Sequence, residues 1–429
     1  MHTCYNRGVK EGVCRLKISV IGLGFVGLTA ALGFADKGFD VSGYDIDNER
    51  SAIITRGEVP FYEPGLDLAL ERNLGGRFRV TTDASQSAKD ADCVFVCVGT
   101  PCGDDGKADL TYLFAAIDSV VGVISPDCAL IIKSTVPPGT TVQEIRPYAK
   151  AKGFSGVVAV NPEFLREGHC WADFTEPDRI VCGRDEGNAS VDALFVELYE
   201  PFRAPIHFVS SNTAEFIKYM SNSLLATMVS FANEMALVAE AAGGIQIAKA
   251  FHILHQDNRL DGSGINHYIY PGCGYGGYCL PKDTVALAAN ARANGFTTRI
   301  LDGVISLNDE MPRLTAAKIE ALASGKDEKI GILGLSFKPN SDDVRDSSAA
   351  KIIQCLLDDG YTHIYAFDPV AMDGFRDVYG LPINYCQSKE ELCETCDTLA
   401  LVTIWPAFME IDKAYPHKKI CDCRYYLEG

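Results

Sequence analysis

The sequence predicts an α/β fold, and three features of the chain support it. Residues 16–47 read as a strand, a glycine-rich turn, a helix, a second strand and an acid. Residues 329–369 repeat that outline in a degenerate form, and residues 213–242 between them form one long helical pattern without proline. Strands that alternate with helices indicate parallel sheets. We therefore expect an N-terminal Rossmann domain and a C-terminal Rossmann-like domain joined by a long central helix.

The length of the chain predicts more than one domain. A chain of 429 residues with 47% hydrophobic residues is globular and longer than one ordinary core. The changes in pattern place the expected domains at residues 1–210, 211–324 and 325–429. The first would bind a dinucleotide, and the second holds the long helix and a glycine-rich loop.

Charge and cysteine usage exclude several classes of partner. The 39 basic and 57 acidic residues give a net charge of −18, which argues against nucleic acid or an anionic membrane surface as a partner. Residues 1–17 lack the apolar core of a signal peptide, and no uninterrupted apolar run reaches the roughly 20 residues of a spanning helix. The 16 cysteines have no small-domain spacing. We expect a soluble, reduced, cytoplasmic protein.

The first turn has the pattern of a dinucleotide site. Gly22, Gly24 and Gly27 form GxGxxG between a strand and a helix, and Asp45 follows the second strand, 18 residues after Gly27. The glycines permit a tight turn and close approach of a pyrophosphate, and the acid binds a ribose diol. Because an acid at this position repels a 2′-phosphate, we expect NAD rather than NADP.

Three later strand ends are expected to face the same ligand. Residues 93–98 run into Gly99, Thr100 and Pro101, and residues 130–133 run into Ser134 and Thr135. Ligands of doubly wound sheets bind at the carboxyl ends of the strands. A further strand, residues 156–160, precedes a segment in which Glu163 and Glu167 would share one face if it were helical.

The long helix carries polar side chains among apolar ones. Lys218 and Asn222 are four residues apart and therefore lie on one face. So much apolar surface predicts burial against more than one neighbour. We interpret residues 213–242 as the helix that connects the domains and as a dimer contact.

Residues 274–283, GYGGYCLPKD, carry the candidate nucleophile. Glycines let the backbone approach a ligand, whereas Pro281 restricts its own φ and the residue before it. Lys282, or a helix that starts just after Pro281, would favour the thiolate form of Cys279. Cys279 is therefore predicted to be a covalent nucleophile.

The C-terminal copy of the turn lacks the third glycine. Gly331 and Gly334 remain, and Asp368 follows the second strand, so we expect a Rossmann-like domain that does not bind a dinucleotide. Lys338 and Arg345 flank its first turn and would serve an anionic ligand. We expect no metal site: Cys421 and Cys423 should lie on opposite faces of one short strand, and the pairs Cys393/Cys396 and His252/His255 are interpreted as packing and helix residues.

The motifs together resemble those of the nucleotide-sugar 6-dehydrogenases, the UDP-glucose/GDP-mannose dehydrogenase family. The resemblance runs from Leu16 nearly to the C-terminus through IGLGFVGL, VGTP, STVPPGTT, NPEFLREG, the helix with Lys218 and Asn222, GYGGYCLPKD and GLSFKPNSDDVRDS, in the family's order. It implies NAD-dependent, four-electron oxidation of the C6 alcohol of a nucleotide sugar, a C-terminal domain that helps to hold this sugar, and a dimer built by the central helix.

The resemblance also assigns roles to individual residues. Cys279 would be the nucleophile, Lys218 and Asp283 would stabilise oxyanions or activate water, Asn222 would orient the sugar, Thr135 would hold water, and Glu163 would assist thioester hydrolysis. Cofactor positions would be Gly22, Gly24, Phe25, Val26, Gly27, Asp45, Arg50, Val98, Gly99, Thr100, Pro101, Ser134, Thr135, Glu167 and Arg345. Substrate positions would be Glu163, Phe164, Leu165, Lys218, Asn222, Tyr270, Gly274, Tyr275, Gly276, Phe337 and Lys338, with Arg424 as a weaker candidate.

The sequence leaves three alternatives open. UDP-glucose is the favoured substrate, but the link between Arg259 and His267 has a length closer to that of the GDP-mannose members, and a UDP-N-acetylhexosamine is also possible. A two-electron hydroxyacid dehydrogenase would leave Cys279 and the second Rossmann-like domain without a role. A catalytically idle NAD-binding sensor would predict a broken nucleophile loop, whereas Cys279, Lys218 and Asp283 are all present.

Overall fold

The computed structural model describes residues 15–185, 187–260 and 265–427. The chain divides into two compact units. Within the described ranges, the N-terminal unit comprises residues 15–99, 111–135 and 139–214, and the C-terminal unit comprises residues 100–110, 136–138 and 215–427. Four residues of the unusual link, 261–264, lie outside the described residues.

The N-terminal unit is built on an eight-stranded sheet of order β3-β2-β1-β4-β5-β6-β7-β8. Strands β1 to β6 are parallel, β7 runs antiparallel to β6, and β8 pairs parallel with β7. The order 3-2-1-4-5-6 is that of a Rossmann sheet, so the predicted fold is confirmed. The strands are β1 Lys17–Ile21, β2 Asp40–Tyr44, β3 Phe78–Thr81, β4 Cys93–Val96, β5 Ala129–Ile132, β6 Val158–Val160, β7 Ile180–Gly183 and β8 Ile206–Val209.

Helices cover the sheet because its central strands are apolar along their whole length. Every residue of β4 and β5 is buried, as expected for parallel strands covered on both faces. Gly33 lets α1 approach α7, since a Cβ at this position would overlap the ring of Phe174. The helices are α1 Phe25–Asp36, α2 Asn48–Thr55, α3 Leu66–Asn73, α4 Ala84–Ala88, α5 Thr111–Val121, α6 Arg146–Ala151, α7 Cys170–Thr175 and α8 Ala189–Tyr199.

The long helix α9, Ser211–Ala242, begins in the N-terminal unit and belongs to the C-terminal unit from Glu215 onward. Within the described residues it is also the one helix long and apolar enough to cross a membrane by length and composition. That criterion does not separate a spanning helix from the core helix of a soluble protein. The helices that follow are α10 Ile247–Leu254, α11 Cys279–Ala293 and α12 Ile300–Leu322.

The C-terminal unit ends in a parallel five-stranded sheet of order β11-β10-β9-β12-β13. Its first strand and turn are those expected from the degenerate copy, so the second Rossmann-like domain is confirmed. Its elements are β9 Ile330–Leu333, α13 Ser348–Asp358, β10 Ile364–Phe367, α14 Met372–Tyr379, β11 Asn384–Tyr385, α15 Lys389–Thr395, β12 Thr398–Leu401, α16 Ile411–Ala414 and β13 Lys419–Asp422.

The cysteine pairs of this sheet are packed side chains. Cys393 and Cys396 lie in the hydrophobic core beside Leu392. The expectation that Cys421 and Cys423 lie on opposite faces of a strand was wrong. Side chains two residues apart along a strand point to the same face. Both thiols accordingly lie in one core, with their Sγ atoms 3.6 Å apart where the strand ends.

Candidate active site

The glycine-rich turn of the N-terminal unit is fixed by close backbone contacts. Gly22 has φ +92°, and a Cβ there would lie 2.9 Å from the carbonyl oxygen of Cys97. A Cβ at Gly27 would overlap the carbonyl oxygen of Gly22. Two of the three glycines are therefore required by the fold itself.

Gly24 differs, because the space in front of it is open. It is the N-cap of α1 and has no side-chain cap, and a Cβ at this position would meet no described atom within 4 Å. The first backbone N–H groups of α1 therefore face a free volume, where the helix dipole favours an anion. This geometry fits a pyrophosphate. Phe25 stacks on Phe61 beside it with ring centroids 4.0 Å apart, whereas Val26 packs against the sheet core.

Asp45 lies at the end of β2, where a ribose-binding acid is expected. Its Oδ2 accepts a hydrogen bond from the backbone N–H of Leu23 at 2.6 Å and pairs with the Nη1 of Arg50 at 3.0 Å. Its Oδ1 accepts from the N–H of Asp47 at 2.9 Å. The carboxylate is thus oriented against the glycine turn before any ligand binds, and the two residues predicted for the adenosine end are brought together.

The strand ends after β4, β5 and β6 hold several other predicted residues. The hydroxyl of Ser134 donates to the carbonyl of Val98 at 2.7 Å, which ties two of the loops together. The Oε2 of the buried Glu163 accepts from the N–H of Leu165 at 2.6 Å. Phe164 lies under the guanidinium of Arg179, 4.3 Å from its ring centroid.

Glu163 and Glu167 would share one face only in a helix, and the structure has no helix there. Residues 161–166 form no regular element, and the next helix, α7, begins at Cys170. The local bond from Glu163 to Leu165 replaces a helical turn. The two carboxylates therefore belong to a loop, in which Glu167 occupies a turn.

Cys279 is the first residue of α11, so the helix starts two residues before Pro281 and not just after it. Pro281 is tolerated there because the first-turn N–H groups have no intrahelical partner. Cys279 is partly exposed. A thiolate at a helix N-terminus is stabilised by the dipole and by nearby cations, which is the environment of a reactive cysteine.

The acid of the same turn is buried in a polar cluster. Asp283 is 1% exposed, its Oδ2 accepts from the Nδ2 of Asn222 at 2.6 Å, and its Oδ1 pairs with the Nζ of Lys282 at 2.6 Å. Burial alone would lower the pKa of Lys282, but Asp283 and Cys279 outweigh it and hold this pKa above its ordinary value. Lys218, one turn before Asn222 on α9, is 4% exposed.

The glycines before Cys279 are needed for contact with the C-terminal sheet domain. A Cβ at Gly276 would overlap the carbonyl oxygen of Asp346, and a Cβ at Gly277 would lie 2.9 Å from the ring of Phe337. The guanidinium of Arg345 lies 4.5 Å from the ring centroid of Tyr278. The glycine-rich segment before Cys279 and the predicted residues Phe337 and Arg345 are thus adjacent.

The predicted site residues are divided between the two units. Val98, Gly99, Ser134, Thr135 and the 163–167 loop belong to the N-terminal unit. Thr100, Pro101, Lys218, Asn222, the 270–283 segment, Phe337, Lys338 and Arg345 belong to the C-terminal unit. The cofactor turn and the nucleophile are therefore each described within their own unit.

Several residues that support the site were not predicted. The carboxylate of Asp343 accepts hydrogen bonds from the guanidinium of Arg345 at 2.8 and 2.7 Å and from its backbone N–H at 2.9 Å. Asn308 and Asn233 bind the backbone before Cys279. An isolated asparagine in a helix gives no sequence signal, whereas the acid two residues before Arg345 could have been noticed.

Comparison with known families agrees with this geometry. The NAD binding domain of the UDP-glucose/GDP-mannose dehydrogenase family matches residues 16–203, its central domain matches residues 212–310, and its UDP binding domain matches residues 331–429. The chain belongs to this family.

Individual relatives align with almost the whole length of this chain. The UDP-glucose 6-dehydrogenase of Rhizobium meliloti is 36% identical over 408 residues, covering 92% of this chain and 91% of the relative. A UDP-glucose dehydrogenase structure from Pyrobaculum islandicum has a TM-score of 0.91 at 36% identity, covering 98% and 97%. A UDP-D-ManNAc dehydrogenase structure from Pyrococcus horikoshii has a TM-score of 0.83 at 29% identity, covering 95% of each chain. The chain is an NAD-dependent oxidoreductase of this family.

Proposed function

We propose that this enzyme oxidises the C6 alcohol of UDP-glucose to the carboxylate of UDP-glucuronate through a covalent intermediate on Cys279. The observation that carries this proposal is the position of Cys279 at the N-terminus of α11, directly beside the buried Asp283–Asn222–Lys282 cluster. A single-step alcohol dehydrogenase has no need of a nucleophile next to an oriented acid.

The chemistry divides into two oxidations and one hydrolysis. The alcohol loses a proton and a hydride to give an aldehyde, and the Sγ of Cys279 adds to its carbonyl carbon to give a thiohemiacetal. Loss of a second hydride together with the hydroxyl proton gives a thioester, and water releases the carboxylate and the thiol. Bound NAD supplies the hydride acceptor for each oxidation. One sugar, one water and two NAD⁺ thus give one acid, two NADH and three protons.

We assign the proton and charge handling to the residues around the thiol. Lys218 stabilises the alkoxide and the later oxyanions, because opposite charges attract each other more strongly in a site shielded from solvent. Asp283 exchanges protons with water. Asn222 holds Asp283 and orients the sugar. By the family resemblance, Thr135 and Glu163 position the hydrolytic water.

The cofactor and substrate assignments follow the same division. We propose that Gly22, Gly24, Gly27, Asp45 and Arg50 hold the adenosine and pyrophosphate of NAD, because the open volume before α1 and the oriented carboxylate fit these groups. Residues 98–101, Ser134, Glu167 and Arg345 complete the cofactor site. Phe164, Leu165, residues 270–276, Phe337 and Lys338 hold the nucleotide sugar. The functional domains are residues 1–210, 211–324 and 325–429.

UDP-glucose is proposed over the other sugar nucleotides on the strength of the relatives. The structural similarity is greater to the UDP-glucose dehydrogenase than to the UDP-D-ManNAc dehydrogenase, at TM-scores of 0.91 and 0.83. GDP-mannose and UDP-N-acetylhexosamines remain the substrates to test in parallel.

We further propose that the enzyme is a homodimer paired through α9. Six apolar side chains on this helix, Phe216, Met220, Leu224, Phe231, Met235 and Val238, are 36–55% exposed. At 3.6 residues per turn they fall within about 100° of arc, on the side of the helix opposite Lys218 and Asn222. A two-fold axis would bury both copies of this apolar stripe at once.

A cytoplasmic location is proposed from the cysteines. All fourteen cysteines that the structure describes are free thiols, and several lie close together in cores. Free thiols persist where glutathione and thioredoxin keep them reduced.

The test is the amount of NADH formed per sugar nucleotide consumed by the purified full-length enzyme. UDP-glucose, GDP-mannose and UDP-N-acetylglucosamine are each supplied with excess NAD. We expect two NADH per UDP-glucose and slower turnover of the other two donors. One NADH per sugar would contradict the four-electron reaction, and faster turnover of another donor would replace UDP-glucose.

Cys279→Ala tests the covalent step. The expected loss of uronate formation is at least about 1,000-fold, because no thiohemiacetal forms. Cys355→Ala is the matched control, since Cys355 is a partly exposed cysteine on α13 of the C-terminal unit and has no assigned role. Equal activity of both variants would eliminate the thioester mechanism.

A further inference from the structure

The segment of residues 269–277, here called the substrate loop, is held by hydrogen bonds to several other parts of the C-terminal unit. His255 contacts the carbonyl of Ile269 at 2.7 Å, and the hydroxyl of Tyr270 donates to the carbonyl of Tyr425 at 2.8 Å. The N–H of Gly277 donates to the carbonyl of Arg345 at 3.0 Å. Between these end points the loop contains three glycines, at positions 272, 274 and 276.

Asn308 on α12 makes the strongest of the central contacts. Its Oδ1 accepts from the N–H of Tyr275 at 2.7 Å, and its Nδ2 donates to the carbonyl of the same residue at 3.1 Å. One planar amide thus satisfies both polar groups of one peptide residue, as a neighbouring strand would. Asn308 is 6% exposed, and a Cβ at Gly274, where φ is +92°, would lie 2.7 Å from its Oδ1.

Asn233 on α9 makes the second central contact. Its Oδ1 accepts from the N–H of Gly272 at 2.7 Å, and the side chain is 1% exposed. Asn233 follows Asn222 by eleven residues, which is close to three helical turns, so both lie on one face of α9. The same face therefore holds the acid beside the nucleophile and the loop that leads to it.

We propose that Asn308 and Asn233 are positioning residues that form an amide clamp on the substrate loop and fix its shape for catalysis. This inference rests on the proposed function, in which the loop binds the sugar and precedes Cys279. Neither asparagine is assigned a contact with the substrate. Their role is to remove the freedom of a glycine-rich segment before the sugar arrives.

Asparagine suits this role because its amide offers one acceptor and two donors in a fixed plane. Aspartate would keep the acceptor for the N–H of Tyr275 but would place an oxygen against its carbonyl. Alanine would remove both bonds and leave two buried backbone groups of Tyr275 unpaired. Glycine loses more conformational freedom on ordering than other residues, so the loop depends on outside contacts to stay ordered.

The test compares Asn308→Ala, Asn308→Asp and Asn233→Ala with the wild-type full-length enzyme. A misplacement of about 1 Å in a reacting group costs on the order of 100-fold in rate. We expect kcat with UDP-glucose to fall about 10- to 100-fold in each variant, with an unchanged KM for NAD and a folded protein. Asn294→Ala is the control, because Asn294 donates an exposed amide-to-backbone bond of 2.9 Å to the carbonyl of Asn290 at the C-terminal end of α11.

A second readout does not depend on the identity of the substrate. Hydrogen exchange at residues 269–277 should accelerate at least tenfold in the Asn308 variants, while β9 and β12 keep their protection. Wild-type kcat together with wild-type exchange at these residues would overturn the clamp. So would a uniform loss of protection across the C-terminal unit in both Asn308 variants, since Asn308 would then be a general core residue. If the wild-type enzyme oxidises no sugar nucleotide, the proposed function fails while the exchange result still decides the clamp.

Discussion

Two aspartates at equivalent positions of the two Rossmann-type sheets differ in how many hydrogen bonds their carboxylates accept. Asp45 keeps part of its hydrogen-bonding capacity beside the open turn at Gly24. Asp368 is saturated: its Oδ2 accepts from the N–H groups of Leu335 and Ser336 and from the indole N–H of Trp405, and its Oδ1 accepts from the N–H groups of Val370 and Ala371. No lone pair of Asp368 is left for a ribose, which explains physically why the second domain should not bind NAD.

Replacement of Asp45 tests this reading of the first site. In Asp45→Ala we expect the KM for NAD to rise about 10- to 100-fold, in line with the roughly 1.5–3 kcal/mol of a hydrogen bond to a charged group. Discrimination against NADP should weaken because the repelling carboxylate is gone. Steady-state kinetics with both cofactors measure this.

Glu49→Ala is the matched control, because it removes an exposed acid from the adjacent helix α2. It should leave both cofactor constants unchanged. If Glu49→Ala and Asp45→Ala behave alike, general surface charge and not a ribose contact determines cofactor choice.

At the residue scale, sequence patterns located the nucleophile segment but not its supports. Cys279 and Asp283 were predictable because they stand in a dense motif. Asn308 and Asn233 were not, because each contacts the segment through tertiary packing from a position more than 25 residues away in the sequence. Single helical or loop residues of this kind have no periodic or motif signal.

At the scale of elements, the glycine turn combines a folding requirement with a binding requirement. Gly27→Ala should destabilise the N-terminal unit by about 3 kcal/mol, since overpacking against the carbonyl of Gly22 has no room to relax. Gly24→Ala should leave the melting temperature within a few degrees, because φ −73° and ψ −166° suit alanine and no described atom lies nearby.

The variants Gly24→Ala and Gly27→Ala also distinguish an effect on folding from an effect on cofactor binding. Titration with NAD, followed by calorimetry, should show at least about tenfold weaker binding in Gly24→Ala, since its methyl group occupies the space of the pyrophosphate. Unchanged affinity in Gly24→Ala would place the cofactor elsewhere. A normal melting temperature of Gly27→Ala would contradict the close contact described for it.

Element boundaries were harder to predict than element types. The strands and α9 follow from apolar patterns, and they were found close to the expected positions. The 161–166 segment contains Pro162, and a proline there is equally compatible with a helix start and with a loop. The hydrogen bond between Glu163 and Leu165 favours the loop conformation. A hydrophobic sequence pattern does not reveal local side-chain bonds of this kind.

At the scale of the whole molecule, the apolar stripe of α9 is an extended exposed apolar surface. In Phe231→Glu we expect the dimer to dissociate, because a charge in the middle of the stripe would be buried in each copy. Light scattering after size-exclusion chromatography measures the mass.

Phe296→Glu supplies the control, since Phe296 is 67% exposed at the turn between α11 and α12 and lies outside the stripe. It should keep the mass of the wild type. A monomeric wild-type enzyme, or a Phe231→Glu variant that stays dimeric, would reject pairing through α9.

The overall architecture could be predicted because each sheet follows from its own strand–helix pattern. The strand orders, which reverse direction at β1 and at β9, are those of doubly wound sheets. The division of the chain into units could not be predicted. Residues 100–110 and 136–138 look like loops of the first sheet, and only their tertiary contacts assign them to the C-terminal unit.

That division has a consequence for how the protein is made and recombined. The chain passes from one unit to the other five times, at residues 99/100, 110/111, 135/136, 138/139 and 214/215. On the ribosome, residues 100–110 and 136–138 emerge before the rest of their own unit has been synthesised. They can therefore pack into that unit only after the later residues have followed. A chimera that takes its C-terminal unit from a relative therefore has to import residues 100–110 and 136–138 along with everything after residue 214.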